Sequence, residues 1–118
     1  MEAVYGALRS LRAPLQRGEY DLHRLVMDCL TERGIACEHE VRLAPRCRID
    51  VMCGGVGIEI KRGKPEKSRL MAQLTRYAAC GQVEALIVVC ERSVDLPRTV
   101  CGKPVKALCL NRLWGIAL

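Results

Sequence analysis

The stretch CRIDVMCGGVGIEIK, residues 47–61, decides the fold of this chain. Its two halves, 47–53 and 56–61, alternate apolar and polar side chains, which is the period of a β-strand. Gly54-Gly55 between them is typical of a two-residue hairpin turn. The halves are therefore predicted to be antiparallel neighbours. The alternation places Asp50 on the polar face of the first strand and Glu59 and Lys61 on the polar face of the second, so the three side chains can meet.

These three side chains suggest a site for a divalent cation. Two neighbouring carboxylates repel each other unless a cation lies between them, and oxygen ligands suit Mg²⁺ or Mn²⁺. Lys61, two residues after Glu59, points the same way, where it could orient a water molecule or offset charge developing on a phosphate. The alternative is an ordinary solvent-exposed face on which Lys61 pairs with a carboxylate.

Working outward from the hairpin, apolar spacing predicts the order helix, three strands, helix, strand, strand. The segments are a helix over 18–34, a strand over 35–43 before the two hairpin strands, a helix over about 65–80, and strands over 83–90 and 105–110. The nearly unbroken apolar run at 83–90 is typical of a central strand covered on both faces. We therefore expect one α/β domain spanning residues 1–118, with residues 1–17 as an N-terminal arm or short helix.

The run Arg48-Ile49-Asp50, followed by Gly57-Ile58-Glu59-Ile60-Lys61, resembles the PD-(D/E)xK nuclease superfamily, in which an acidic residue precedes E-x-K on the next strand. The predicted order is also similar to that family's restriction-endonuclease-like αβββαβ core, a central mixed β-sheet flanked by helices. The resemblance covers about residues 19–91. It implies that Asp50, Glu59 and the Ile60 carbonyl bind Mg²⁺ or Mn²⁺, and that Lys61 serves the attacking water.

Gln73 and Tyr77 form Q-x-x-x-Y on the following helix, and residues four apart share a helix face. This resembles a motif of the exonuclease-type branch and implies that both residues belong to the catalytic site; simple helix packing is the alternative. Glu19 is similar to an acidic residue that some members add to the metal site, and Glu40 is the other candidate. The family's proline beside the aspartate is replaced here by Ile49.

The net charge is +6, and 14 of the 19 basic residues are arginine. Arginine forms forked hydrogen bonds to phosphate oxygens, so this composition suits a polyanionic partner such as DNA. The residues predicted to hold the DNA backbone are Arg48, Arg62, Lys64, Lys67, Arg69 and Arg76. Most of them leave the second hairpin strand directly, where phosphate contacts can position a duplex without reading its sequence.

The eight cysteines contain no C-x-x-C pair of the kind that zinc and iron–sulfur sites use. Most lie among aliphatic residues, where cysteine is a small buried hydrophobe. The chain opens without a secretory signal pattern, and no apolar run reaches membrane-spanning length. We therefore expect reduced thiols in a cytoplasmic protein that does not enter a membrane.

Two histidines are predicted to have no catalytic role. His39 falls on the apolar face of its strand and is expected in the core, whereas His23 is expected on a helix surface.

Together these features predict a metal-dependent DNA nuclease that hydrolyses phosphodiester bonds. Little chain is left for a sequence-reading domain, so we expect cutting selected by DNA structure, as in Holliday junction resolvases, or cutting directed by DNA ends. The sequence leaves a monomer and a homodimer open; paired sites in a homodimer would suit the cutting of two strands. The alternatives are a non-catalytic nucleic-acid-binding subunit that keeps the fold, and a structural domain whose acidic residues are surface decoration.

Overall fold

The computed structural model describes residues 1–11 and 21–115, which form a six-stranded mixed sheet with helices on both faces. The elements are α1 (Glu2–Leu8), α2 (Leu22–Glu32), β1 (Glu38–Ala44), β2 (Cys47–Cys53), β3 (Val56–Lys61), α3 (Lys67–Ala78), β4 (Ala85–Cys90), β5 (Thr99–Val100), β6 (Lys103–Cys109) and α4 (Leu110–Leu113). The predicted α/β class is confirmed, and α2 to β4 follow the predicted αβββαβ order. Within the described ranges, no helix has the length and apolar character needed to cross a bilayer.

The strands lie in the order β1-β2-β3-β4-β6-β5. β1, β2 and β3 are antiparallel neighbours, β3, β4 and β6 run parallel, and β5 returns antiparallel at the edge. The hairpin predicted at Gly54-Gly55 is present, with Cys53 paired to Val56 and Gly54 at a φ of 59°. Parallel β3 and β4 need a crossover connection, and α3 provides it.

Helix α2 begins after a capping residue, Asp21, and ends just before a glycine, Gly34. The Asp21 side chain accepts a hydrogen bond from the backbone N–H of His23 at 2.9 Å, which satisfies a free donor of the first turn. Gly34, just beyond the helix, has a φ of 73°, a left-handed conformation that glycine adopts without strain. The part of the predicted helix before residue 21 lies outside the described residues.

Apolar side chains fill two layers, one on each face of the sheet. The α2 face packs α1 and α2 against β-strand residues such as Val51, Ile58 and Ile87. The α3 face packs α3 against the others, including Ile49 and Leu86. Each fully buried aliphatic side chain contributes roughly 1.5–3 kcal/mol relative to exposure.

Helix α1 belongs to the first of these layers. Val4, Ala7 and Leu8 are buried against the core of their own chain. This part of the 1–17 segment is therefore a packed helix and not a free arm held out to a partner.

Candidate functional site

Glu59 is a buried carboxylate on the α3 face of the sheet. Along β3, alternation sends Val56, Ile58 and Ile60 to the α2 face and Glu59 to the opposite face. Its relative exposure is 3%, and among the described residues it is the charged residue that is buried with the apolar core. Lys61 Nζ lies 3.0 Å from Glu59 Oε2, and the Tyr77 hydroxyl donates to Oε1 at 3.0 Å. A buried charge needs such partners, because burial without them is expensive.

Tyr77 reaches Glu59 because α3 turns one apolar stripe toward the sheet. Leu70, Leu74, Tyr77 and Ala78 form this buried stripe. The Tyr77 hydroxyl also lies 2.9 Å from the Arg48 carbonyl oxygen of β2. Since a hydroxyl carries one proton, the carbonyl and the carboxylate compete for it. Burial, followed by the negative charge of Glu59, raises the pKa of Tyr77, so the phenol stays protonated.

Asp50 lies where the β2–β3 ladder ends. At this residue, the regular alternation of β2 side chains between the two faces of the sheet is interrupted. The paired positions run from Cys53–Val56 to Val51–Ile58. Next along β2, Asp50 Oδ2 accepts the backbone N–H of Ile60 at 2.7 Å. On either side of Asp50, Ile49 packs into the α3 layer and Val51 into the α2 layer. The predicted alternation, which put Ile49 and Val51 on one face, is therefore wrong at Asp50. There the Asp50 carboxylate, in place of a backbone carbonyl, accepts the Ile60 N–H.

His23 lies beside Asp50, a contact that the sequence did not predict. Its Nε2 is 4.0 Å from Asp50 Oδ2, and its Nδ1 is 2.9 Å from His39 Nε2. The two rings meet edge to face, 5.2 Å apart. His39 is exposed, so its predicted place in the core is wrong. The next residue, Glu40, has a φ of 53°, which departs from the conformation of a regular strand. The available signal was the position of His23 in the first turn of a capped helix.

The electrostatics of the site are set by its two carboxylates. Burial, followed by the nearby charge of Asp50, raises the pKa of Glu59, while Lys61 and Tyr77 oppose the rise. Asp50 is more open, with 22% of its side chain exposed. The site therefore combines a buried carboxylate with a raised pKa, Glu59, a partly exposed carboxylate, Asp50, and the ammonium group of Lys61. Such a set of groups is able to hold a cation or to position a water molecule.

A cavity of about 350 Å³ adjoins the Asp50 side of the site. Asp21, Leu22, His23, Ile60 and Arg62 line it. Two of these, His23 and Ile60, contact Asp50 directly. The cavity therefore opens next to two residues that contact Asp50.

Two other predicted site residues are described but do not join Glu59. Gln73 lies one helical turn before Tyr77 and is half-buried. Within the described residues its side chain makes no hydrogen bond, so the shared helix face does not bring it to the carboxylate. Glu40 is exposed. Glu19 lies outside the described residues.

The six basic residues predicted to bind DNA are all exposed. Arg69, near the start of α3, pairs with Glu66 at 3.2 Å. Arg76 lies seven residues further on the same helix, so the two share a face with Gln73 between them. Of the six, Arg62 is the one that lines the cavity beside His23.

Residues 1–11 and 21–115 contain no cluster of three histidine, cysteine, aspartate or glutamate side chains arranged to hold a metal ion. Of the predicted ligand set, the described residues include two such side chains, Asp50 and Glu59, together with the Ile60 carbonyl; Glu19 lies outside them.

Comparisons with known proteins found no relative. The sequence matches no protein-family profile, no curated protein and no solved structure.

Proposed function

We propose that this chain is a nuclease that uses Mg²⁺ or Mn²⁺ to hydrolyse phosphodiester bonds in DNA, as its resemblance to the PD-(D/E)xK superfamily implies. The observation that carries the proposal is Glu59, a buried carboxylate with Lys61 and Tyr77 in contact and Asp50 close enough to raise its pKa. Structural needs alone do not favour such a group in a core.

The donor set fits a hard divalent cation. Asp50 and Glu59 supply carboxylate oxygens, and the Ile60 carbonyl, which the resemblance implies as a further ligand, directly follows Glu59 in sequence. The raised pKa of Glu59, caused in part by Asp50, reports a repulsion that a cation would relieve. When bound, such a cation polarises a phosphate and lowers the pKa of a water molecule.

The remaining roles fall to the side chains. Lys61, 31% exposed, can turn its ammonium group from Glu59 to a water molecule or to a charged phosphate oxygen. Tyr77 keeps its proton and fixes the orientation of Glu59. Apolar residues of both layers exclude bulk water behind the carboxylates, which strengthens these charge interactions.

The decisive experiment incubates the purified chain with linear, covalently closed circular and branched DNA in Mg²⁺, Mn²⁺ or EDTA. We expect cleavage that needs the cation and falls roughly 10²–10³-fold in Asp50→Asn and Lys61→Gln. Arg33→Gln, at the far end of α2, is the matched control and should cut normally. Cleavage of closed circles or junctions would indicate structure-selective cutting, and cleavage of linear DNA alone would indicate end-directed cutting.

A non-catalytic nucleic-acid-binding subunit is the second candidate. It is favoured by the fact that both carboxylate oxygens of Glu59 already have partners in the chain. Tight DNA binding without cleavage in either cation would select this candidate, and an absence of both binding and cleavage would reject the two together.

The proposal extends to a homodimer acting in the cytoplasm. Paired sites suit the cutting of two strands, and the eight cysteines are free thiols, which suits a reducing compartment. Sedimentation of the purified chain in the presence and absence of DNA would test the dimer.

A further inference from the structure

The hairpin that joins β1 and β2 carries three exposed arginines, Arg42, Arg46 and Arg48. Arg42 and Arg48 are direct partners across the two antiparallel strands. Like charges placed opposite each other destabilise a strand pair. Within the described part of the chain, none of the three forms an ion pair with an acidic side chain. The hairpin is therefore a concentration of positive charge that no acidic side chain of residues 1–11 and 21–115 neutralises in an ion pair.

The direction of these side chains follows from their neighbours. Leu43 and Ile49, next to Arg42 and Arg48 in sequence, pack into the α3 layer. Since successive side chains of a strand point to opposite faces, Arg42 and Arg48 project on the α2 face. That is the face on which His23 approaches Asp50.

Arg46 occupies an unfavourable backbone conformation. It follows Pro45 in the turn between the strands and has a φ of 59°. This left-handed region suits glycine, and any residue with a Cβ pays a steric cost there. The Arg46 side chain is exposed and adds a third positive charge to the hairpin that carries Arg42 and Arg48.

We propose that Arg42, Arg46 and Arg48 bind the phosphodiester backbone of a nucleic acid and lead it along the α2 face to the cavity beside Asp50. This inference rests on the proposed function and adds Arg42 and Arg46 to its binding surface. Arginine forks match pairs of phosphate oxygens. A bound polyanion removes the repulsion between the facing side chains of Arg42 and Arg48. Their pairing is therefore stabilised in the complex, whereas it destabilises the strand pair of the free chain.

The test measures binding separately from cleavage. A short fluorescein-labelled DNA duplex is titrated with the full chain in EDTA, and fluorescence anisotropy is followed over a series of salt concentrations. The slope of log K against log salt should fall by about 2 in the double variant Arg42→Gln, Arg48→Gln, because each lost phosphate contact removes about one counterion. The control, Arg33→Gln with Arg98→Gln, removes the same charge from exposed positions elsewhere and should leave the slope unchanged.

Arg46→Gly provides a second measurement. Glycine accepts the turn conformation, so the variant should melt at the temperature of the parent chain while its affinity for the duplex falls several-fold. Unchanged affinity in this folded variant would overturn the role of Arg46.

Two further outcomes contradict the inference. An equal loss of slope in the control pair would show that general charge, and not this hairpin, binds the duplex. An equal loss of affinity for poly-L-glutamate in the double variant would point to an acidic protein partner instead. Because binding is measured in EDTA, a chain that binds through the hairpin but never cuts rejects only the nuclease, and a chain that cuts with an unchanged slope rejects only the hairpin.

Discussion

The two carboxylates of the candidate site lie in different environments on the two faces of the sheet. On the α3 face, Glu59 is 3% exposed and held by Lys61 and Tyr77. On the α2 face, Asp50 is 22% exposed and contacts His23 and Ile60, two residues that line a cavity. The closed face fixes a charge in place, and the open face leaves room for a ligand. Substitutions on the closed face should therefore change stability most, while those on the open face should mainly change binding or activity.

The largest effect should come from breaking the closed pair. Lys61→Ala leaves the Glu59 carboxylate buried without its cation, and we expect the free energy of unfolding to drop by about 3 kcal/mol at neutral pH, the low end for a buried pair because Lys61 is partly exposed. Urea denaturation without divalent cations measures this. The double variant Glu59→Gln, Lys61→Ala should recover much of the loss. If it does not, packing and not charge is responsible.

Removing the hydroxyl from the same face should cost less. In Tyr77→Phe, Glu59 and the Arg48 carbonyl both lose a donor that they share. A buried acceptor left unsatisfied costs roughly 1–3 kcal/mol. The control is Gln73→Ala, one turn away on α3, which should stay within about 0.5 kcal/mol of the parent. Equal losses in the two variants would show that the hydroxyl has no special part.

The closed face should also give stability a recognisable pH dependence. The folded-state pKa of Glu59 is raised above its ordinary 4.5 by burial and by Asp50, so the folded chain holds this proton more tightly than the unfolded chain. Its stabilising contribution is complete below pH 4.5 and is lost as the pH rises through the raised pKa, by at most about 1.4 kcal/mol per pH unit. Thermal melts in EDTA from pH 4 upward should show this decline, and Glu59→Gln should lack it. The same decline in Glu59→Gln would assign it to another group.

On the open face, His23→Ala should separate activity from stability. The ring is 32% exposed and touches Asp50 and His39 without filling the core, so unfolding should shift by no more than about 0.5 kcal/mol. Cleavage should fall roughly 10–100-fold, as expected when a partner that orients a functional carboxylate is removed. Arg24→Ala, the adjacent exposed residue of α2, should be neutral in both assays. Normal cleavage by His23→Ala would remove the ring from the site.

The smallest effect has the opposite sign. Arg42→Gln relieves the repulsion with Arg48 across the strands and should stabilise the free chain by a few tenths of a kcal/mol at low salt. The gain should vanish at high salt, where the charges are screened. Chemical denaturation at two salt concentrations measures it. A loss of stability at low salt would mean that Arg42 supports the strand in another way.

The sequence predicts the framework of this molecule well because the framework depends on local patterns. Alternation on both sides of Gly54-Gly55 specifies the β2–β3 hairpin. Apolar spacing specifies α2, which ends just before Gly34. These signals act between residues close in the chain, so no knowledge of packing is needed. The pairing of Glu59 with Lys61 follows from the same strand period.

Contacts between distant residues were harder to predict. Alternation alone put Ile49 and Val51 on one face, but Asp50 accepts the Ile60 N–H and the two neighbours part. His23 reaches Asp50 only because α2 packs across the sheet at that point. Such contacts depend on how the layers are stacked, which no local pattern records.

The change of direction at Asp50 has a consequence for how a ligand would act on the whole molecule. Glu59 lies on the α3 face of the sheet, and Asp50 faces the α2 layer. A ligand that binds both carboxylates would therefore link the two layers through the sheet. Its binding then stabilises the folded chain against unfolding. Amide protons of α2 and α3, although they lie on opposite faces, should gain protection from hydrogen exchange together when the site is filled.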